Sequence, residues 1–539
     1  MIRRLSISLL FLFQFSYGFS FFSTYSQDSS VRPNILVIVA DDLGWNDIGY
    51  HGGPGITPTL DSLARNGVEL DRFYVHPSCS PTRSSLLTGK AALRLGMLTP
   101  LGKNNKLGLP LRERTLPEFL KESGYSTSLI GKWHLGRYKS DYWPNNRGFD
   151  HFYGYLTGGI GHYDHVHGGG LDWQRNGESL DEQGYSTHLL TSETLNILRN
   201  QDRSYPFYLQ LCYAAPHLPN EAPEETINEY VGIEDYNRRT HLAMVTEIDR
   251  GVKKIVDLLK EQSMLENTII WFFSDNGGQN ESSIPNSVKK VVENSQKVME
   301  PPFPITFLEF ARSNLKEGAS DNSPLRQGKG SVYEGGIRVP SFIHAPAFLE
   351  PKKVDKRVSI NDVFPTILEA AQIDDHQIGE LDGRNQWSFL KKNIDYQSSD
   401  FITHGTYGAE AYIKDSMKLV VPSSGPNELY NIYDDPHEQN NLISSHAEIA
   451  NDLLNKLKSF PRGKSVHDPL WTVIKDPDVF GGDIDRISYA GLEGNNSGPI
   501  SPWTILFISV VLLFGLSIYF LLRFFISAIK NKILKNESQ

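Results

Sequence analysis

Asn34–Ala40 reads Asn-Ile-Leu-Val-Ile-Val-Ala and runs directly into Asp41-Asp42. An uncharged, β-branched run of this kind marks a strand buried on both faces, which needs parallel neighbours beside it and helices above and below. Val68–Val75, Tyr125–Ile130, Phe207–Ala214 and Thr268–Ser274 supply the neighbours. Pro58–Asn66, closed by Gly67, and Leu116–Ser123, ended by Gly124, read as helices between them. Leu242, Val245, Ile248, Val252, Ile255 and Leu259 recur at helical spacing before Thr268. The alternation predicts an α/β fold with a large, mainly parallel sheet sandwiched by helices over residues 33–389. Beyond about Phe389 the pattern changes: Ala411–Val421 and Glu428–Tyr433 read as hairpin strands, with a helix near His446–Phe460. Residues 390–467 are therefore expected to form a smaller α+β domain with an antiparallel sheet.

The chain of 539 residues is 39% hydrophobic and 22% charged with mean hydropathy -0.35, so any membrane contact must be local. Its net charge of -10 offers no basic field to a nucleic-acid backbone, which excludes that partner class. Met1–Ser26 carries Arg3 and Arg4, an uncharged stretch Leu5–Phe22 and small residues at Thr24 and Ser26, the form of a cleaved secretory signal. Trp503–Leu522 has no charge and about the ~20 residues that a bilayer crossing needs. Arg523, Lys530, Lys532 and Lys535 follow it and prefer the cytosolic side. The expected product is a single-pass type I membrane protein, at the cell surface or in the lysosome, with its globular part lumenal or extracellular. Residues 468–501 would be a stalk and 523–539 a cytosolic tail. A GPI signal is the rival, but such signals end in their hydrophobic tail and this chain continues. Asn280 and Asn495 lie in lumenal N-x-S sequons, and that of Asn536 falls in the tail.

In open α/β sheets ligands bind beyond the carboxyl ends of the strands. Here those ends carry Asp41-Asp42, Lys132 and His134, His217, and Asp275-Asn276. Asp41, Asp42, Asp275 and Asn276 are hard oxygen donors, suited to calcium or magnesium rather than zinc. Cys79 and Cys212 are the only cysteines, so they form either one bridge or a reactive residue and a buried one. Pro81 suits the first turn of a helix, which would put Cys79 at its N-terminus where an anion is favoured, with Arg83 as a fork of donors. A thiolate nucleophile is the obvious inference, yet cysteine phosphatases use C-x5-R where this chain has C-x3-R, and a free thiol is vulnerable in an oxidising compartment.

The run Cys79-Ser80-Pro81-Thr82-Arg83 resembles the C-x-P-x-R element of type I sulfatases, whose cysteine is converted to Cα-formylglycine. NILVIVADDLGWND, GKWHLG, AAPH, SDNGG, PLRQGKG and LYNIYDDPHEQNNL follow in the family's order, over about Pro33 to Ile443. The wording is most similar to the arylsulfatase B group, which acts on N-acetylgalactosamine 4-sulfate in glycosaminoglycans. The resemblance implies an alkaline phosphatase-like fold and one Ca2+ held by Asp41, Asp42, Asp275, Asn276 and the modified Cys79. It implies that a hydrate hydroxyl at position 79 attacks sulfur, and that loss of the second hydroxyl's proton expels sulfate. Arg83 would orient the hydrate, Lys132 and Lys329 would bind sulfate oxygens, His134 would assist regeneration, and His217 would protonate the leaving oxygen. The implied partners are a sulfated glycan or aryl sulfate and the formylglycine-generating enzyme. The alternatives are a phosphodiester or phosphonate hydrolase of the same superfamily, and an inactive glycan-binding protein.

Three features depart from the family's pattern: few cysteines, the transmembrane tail, and an insertion at Asn280–Asn322. The insertion holds a possible helix, Asn286–Met299, and is expected to be disordered rather than a lid. His162, His165 and His167 could suggest zinc, but their Gly-rich loop fits substrate contact or surface exposure better.

Overall fold

Alternate residues of the Asn34–Ala40 strand enter two different cores: Ile35, Val37 and Val39 one, Leu36, Ile38 and Ala40 the other. The strand is thus buried on both faces, as its composition demands. The computed structural model describes residues 32–102, 105–167, 170–297, 306–373 and 379–467. The expected signal, stalk, membrane segment, tail and the Asn495 and Asn536 sequons lie outside the described residues. Among the described residues no helix is long and apolar enough to cross a membrane.

Five parallel strands form the middle of a ten-stranded mixed sheet: Thr268–Ser274, Asn34–Ala40, Phe207–Cys212, Ser126–Lys132 and His151–Tyr155, in that spatial order. Register brings their ends level, with Ala40 opposite Ser274 and Val39 opposite Cys212, which in turn lies opposite Gly131. Both flanks add antiparallel strands, so the sheet is parallel at its centre and mixed at its edges. The long helix Tyr236–Glu261 buries Leu242, Val245, Ile248, Val252, Ile255 and Leu259 against one face. Each such side chain, fully buried, contributes about 1.5–3 kcal/mol.

Two expectations need correction. Val68–Val75 is not one strand: Val68–Leu70 belongs to the large sheet, whereas Phe73–Tyr74 pairs with Arg338–Val339 and Val358–Ser359 in a three-stranded sheet. At the break Arg338 holds Asp71, donating to its carbonyl at 2.8 Å and to its carboxylate at 2.9 Å. The insertion is not disordered where it is described, since Asn286–Gln296 and Thr306–Glu317 are helices. They bury Val292 and Ala311 together, with Val288 and Leu315 alongside. The spacing of these residues gives each helix a stripe that it cannot bury alone.

The C-terminal strands Phe401–His404, Glu410–Lys414, Met417–Val421 and Glu428–Asn431 form an antiparallel sheet whose Phe401, Ala411, Ile413, Val420 and Tyr430 join a core of the large sheet. A buried polar knot reinforces this junction. Lys418 Nζ lies 3.0 Å from Glu334 and 2.7 Å from Glu438, Tyr74 donates to Glu334 at 2.6 Å, and the Glu334 N–H donates to Glu438 at 2.8 Å.

Two carboxylates share one ammonium, and burial, with Glu334 adding to it against the pull of Lys418, raises the Glu438 carboxyl to about 7. A carboxyl raised from about 4.3 contributes stability in full below the unfolded value and loses it as pH rises through the folded one. Stability should therefore decline between about pH 4.5 and 7 with a slope of up to ~1.4 kcal/mol per unit. Glu438→Gln should flatten that decline, as read from urea midpoints across the range; an unchanged profile would assign the slope elsewhere.

Candidate active site

Beyond the level strand ends the backbone makes one more rung before it separates. The Asp41 N–H donates to Ala215 O at 3.1 Å and the Asp275 N–H to Ala40 O at 3.0 Å. Asp42 then turns into the left-handed region at φ 70, and its N–H approaches Asp275 Oδ1 at 3.3 Å. Three carboxylates are thereby crowded into one buried crevice.

Cys79 reaches the crevice from the opposite side as the first residue of the helix Cys79–Thr88, with Pro81 in its first turn as the sequence predicts. All ten residues of this helix are buried, and its hydroxyls are satisfied locally. Ser80 Oγ donates to His134 O at 2.9 Å and accepts from the Leu101 N–H at 3.0 Å, while Ser85 Oγ meets His76 Nε2 at 2.9 Å. Cys79 Sγ lies 3.5 Å from Asp41 Oδ1. Cys79 and Cys212 are both unpaired and buried, so the bridge considered from the sequence does not form. Burial, with Asp275 nearby, pushes the Cys79 thiol far above its ordinary range.

Every carboxylate has its own cation. Lys132 Nζ lies 2.6 Å from Asp41 Oδ2 and Lys329 Nζ 2.6 Å from Asp42 Oδ2. Arg83 donates from Nε and Nη2 to Asp275 Oδ2 at 3.0 and 2.7 Å, and from Nη1 to Lys132 O at 3.0 Å. Burial raises the Asp275 carboxyl, with Asp41 adding to it; for Asp42 burial is outweighed by Lys329 and His217, and its carboxyl falls below the usual range.

Asp41, Asp42, Cys79 and Asp275 present ligand atoms within 4.8 Å of one another, the one such group of Asp, Glu, His and Cys found among the described residues. Asn276 joins them by donating to Asp42 Oδ1 at 2.7 Å, and its Oδ1 is buried with no hydrogen-bond partner among the described residues. An orphaned amide oxygen beside three carboxylate groups is a donor set for a hard divalent cation. The fit to calcium is good on this ground, and three carboxylates balanced by three side-chain cations leave the added ion to turn the crevice positive.

Two histidines close the other side. Burial lowers both far below the usual imidazole value, so both are neutral near pH 7. His134 Nε2 lies 2.9 Å from the carbonyl of Leu101, an acceptor only, so the proton sits on Nε2 and the buried Nδ1 keeps a bare lone pair. His217 Nδ1 likewise donates to Leu218 O at 2.7 Å, leaving Nε2 bare at 3.6 Å from Asp42 Oδ2.

Sequence reading missed what seats these rings. A Cβ on Gly158 would stand 2.6 Å from His134 Cε1, and one on Gly159 would stand 3.1 Å from His217 Cε1. Asp172 fixes that loop through the Leu156 and Thr157 N–H groups and the Thr157 hydroxyl. The only signal in the sequence is the pair of adjacent glycines. His162 and His165 are buried rather than surface residues: His162 links Ser186 Oγ at 2.9 Å to His217 O at 3.0 Å, and His165 stacks on Trp173 at 4.4 Å. His162 thereby supports the His217 loop, and among the described residues these histidines form no metal-binding group. Asn280 is half-buried and its amide donates to Ser320 O at 3.2 Å, so the nitrogen that a sequon glycan needs is engaged.

Comparisons with known proteins agree with this arrangement. The chain is 31% identical over 488 residues to arylsulfatase J of Mus musculus, covering 80% of this chain and 76% of the relative. It is 29% identical over 405 residues to N-acetylgalactosamine-6-sulfatase of Homo sapiens, covering 70% of each. Among solved structures, that of Ps i-CgsB in complex with k-i-k-neocarrahexaose superposes with a TM-score of 0.71 at 29% identity, covering 82% of this chain and 96% of the other. The sequence model of the Sulfatase family matches residues 33–373, and the chain belongs to the sulfatases, hydrolases of sulfate esters.

Proposed function

We propose that this sulfatase removes sulfate from glycans with a formylglycine at position 79 and one calcium ion. The observation that carries the reading is the convergence of Cys79, Asp41, Asp42, Asp275 and Asn276 on one buried crevice ringed by Arg83, Lys132 and Lys329. When present, calcium supplies Lewis-acid polarisation of the sulfate and the aldehyde hydrate supplies an oxygen nucleophile.

The chain's own residues divide the remaining work. Asp41, Asp42, Asp275 and Asn276 would hold the ion, and Arg83 keeps Asp275 and the Lys132 carbonyl in place around position 79. Lys132 and Lys329 provide positive charge where sulfate oxygens must sit, as buried donors that need no reorganisation. The bare Nδ1 of His134 is suited to take a proton as the enzyme is restored. Nε2 of His217 must first gain a proton before it can give one to the leaving alcohol, and the neighbouring Asp42 carboxylate favours that charged form.

For the sugar, N-acetylgalactosamine 4-sulfate follows from the resemblance to the arylsulfatase B group, and a human relative is named for the 6-sulfate of the same sugar. The signal and the Trp503–Leu522 segment make the enzyme a type I membrane protein of the cell surface or lysosome, which meets the formylglycine-generating enzyme on its way.

Asp41→Asn or Asp275→Asn should lower sulfate release from 4-nitrophenyl sulfate by roughly 10²-fold or more, with the circular dichroism of the parent retained. Calcium chelation should do the same reversibly; variants as active as the parent would remove the metal assignment. A phosphate diester cleaved faster than the sulfate ester would move the reaction to phosphorus. Mass spectrometry of the peptide spanning residue 79 should find the aldehyde in protein from secretory cells, and an active protein with an intact thiol would overturn the nucleophile. A chain stopped before Ser501 should be secreted in active form, whereas the full chain should resist carbonate extraction from membranes.

A further inference from the structure

Next to Lys329 a cavity opens that the proposed sulfate chemistry leaves unused. It is lined by Gln279, Asn280, Asn314, Lys329, Thr406 and Tyr407, which come from four parts of the chain. The segment after the site strand supplies Gln279, the insertion Asn280 and Asn314, the loop after the insertion Lys329, and the loop between the first two strands of the C-terminal sheet Thr406 and Tyr407.

Gln279 is 5% exposed, yet neither Oε1 nor Nε2 has a hydrogen-bond partner among the described residues. A buried amide without partners costs stability, and a folded protein that keeps one has commonly reserved it for something else. The backbone that carries this side chain is firmly held. The Gln279 carbonyl accepts from the Ser320 N–H at 3.2 Å, and the preceding Gly278 is clamped by Asn322 through its N–H at 2.7 Å and its carbonyl at 2.9 Å. Ser320 and Asp321 are themselves fastened to the buried Asp47, so the insertion sets the position of Gln279. The opposite wall is equally fixed. The Gly330 N–H donates to Pro77 O at 2.6 Å, two residues before Cys79, and Gly330 O accepts from the Thr406 N–H at 2.9 Å.

We propose that the Gln279 amide reads the hydroxyl or acetamido groups of the sugar whose sulfate enters the crevice, in a subsite walled by the insertion and by Thr406–Tyr407. A primary amide offers two donors and an acceptor, the complement of a polyhydroxylated ring, and Tyr407 and Thr406 add an aromatic face and a further hydroxyl. An aryl alcohol would leave the amide unpaired. The inference rests on the proposed reading of the crevice, because Lys329 is shared between the two.

The test compares kcat/KM for sulfated galactose and N-acetylgalactosamine saccharides, carrying the ester at position 4 or 6, with that for 4-nitrophenyl sulfate. In Gln279→Met, which keeps the volume and drops the polar atoms, the saccharide-to-aryl ratio should fall roughly ten- to hundredfold. The same variant should melt at or above the temperature of the parent, since it relieves an unpaired buried amide. Gln279→Glu, which retains an acceptor, should keep more of the ratio than the methionine variant. An unchanged ratio, or a methionine variant that melts several degrees lower, would overturn the subsite, the second by showing that the amide has a structural partner. A parent that cleaves the aryl sulfate and none of the saccharides would also overturn it while leaving the sulfatase crevice intact. A parent that releases sulfate from no ester would bring down the proposed chemistry instead, and the melting comparison would still judge the amide.

Discussion

Crowding of like charge at the end of a sheet is the constraint on which this structure depends. Asp41, Asp42 and Asp275 are buried, and charges that close repel strongly when water is excluded. They persist because Arg83, Lys132 and Lys329 are buried with them, one cation to each carboxylate. Removing one partner from such a set leaves an uncompensated buried charge at a cost of about 3–5 kcal/mol. The cations come from the cysteine helix, a neighbouring strand and the Lys329 loop, so pieces distant in sequence are bound to one another through the crevice.

The same dependence explains why a small antiparallel sheet and an insertion matter to a charged crevice whose aspartates and cations they do not supply. The C-terminal sheet holds the segment after Lys329 through Lys418, Glu334 and Glu438, and it touches Gly330 through Thr406. The insertion returns through Ser320, Asp321 and Asn322 onto Asp47 and Gly278, which follow Asp41-Asp42 and Asp275-Asn276 in the chain. Asp47 is in turn held by His241 at 2.8 Å and by Arg238 from the long helix. Each addition fixes a backbone that carries a charge.

Much of this was legible in the sequence because central strands declare themselves. A run such as Asn34–Ala40 can be satisfied in few ways, and the residues at strand ends follow once the strands are placed. The crevice collects all the residues that the motifs pointed to: Asp41, Asp42, Cys79, Arg83, Lys132, His134, His217, Asp275, Asn276 and Lys329. What failed to show was long-range. Nothing near Asp71 announces that Arg338 will meet it at a break in the strand, because the contact closes only after the chain has returned. In the sequence the insertion reads as an overlong, disordered loop, since Val292 and Ala311 acquire a partner only when its two helices meet. His162 and His165 looked exposed in a Gly-rich loop, but packing against Ser186 and Trp173 buries them. Gly158 and Gly159 carry their meaning in the absence of a side chain, which periodicity does not register.

The helix that begins at Cys79 has no residue open to solvent over its whole length, and Cys79 itself is 1% exposed. Another protein cannot close its own active site around a side chain in that position once the fold is complete. If residue 79 is modified as proposed, that change must therefore precede the docking of this helix. Folding and that modification would then compete for the same segment, and a molecule that folded first would keep a buried thiol at its centre. The specific activity of a preparation would record the outcome of that race, independently of how well its molecules are folded.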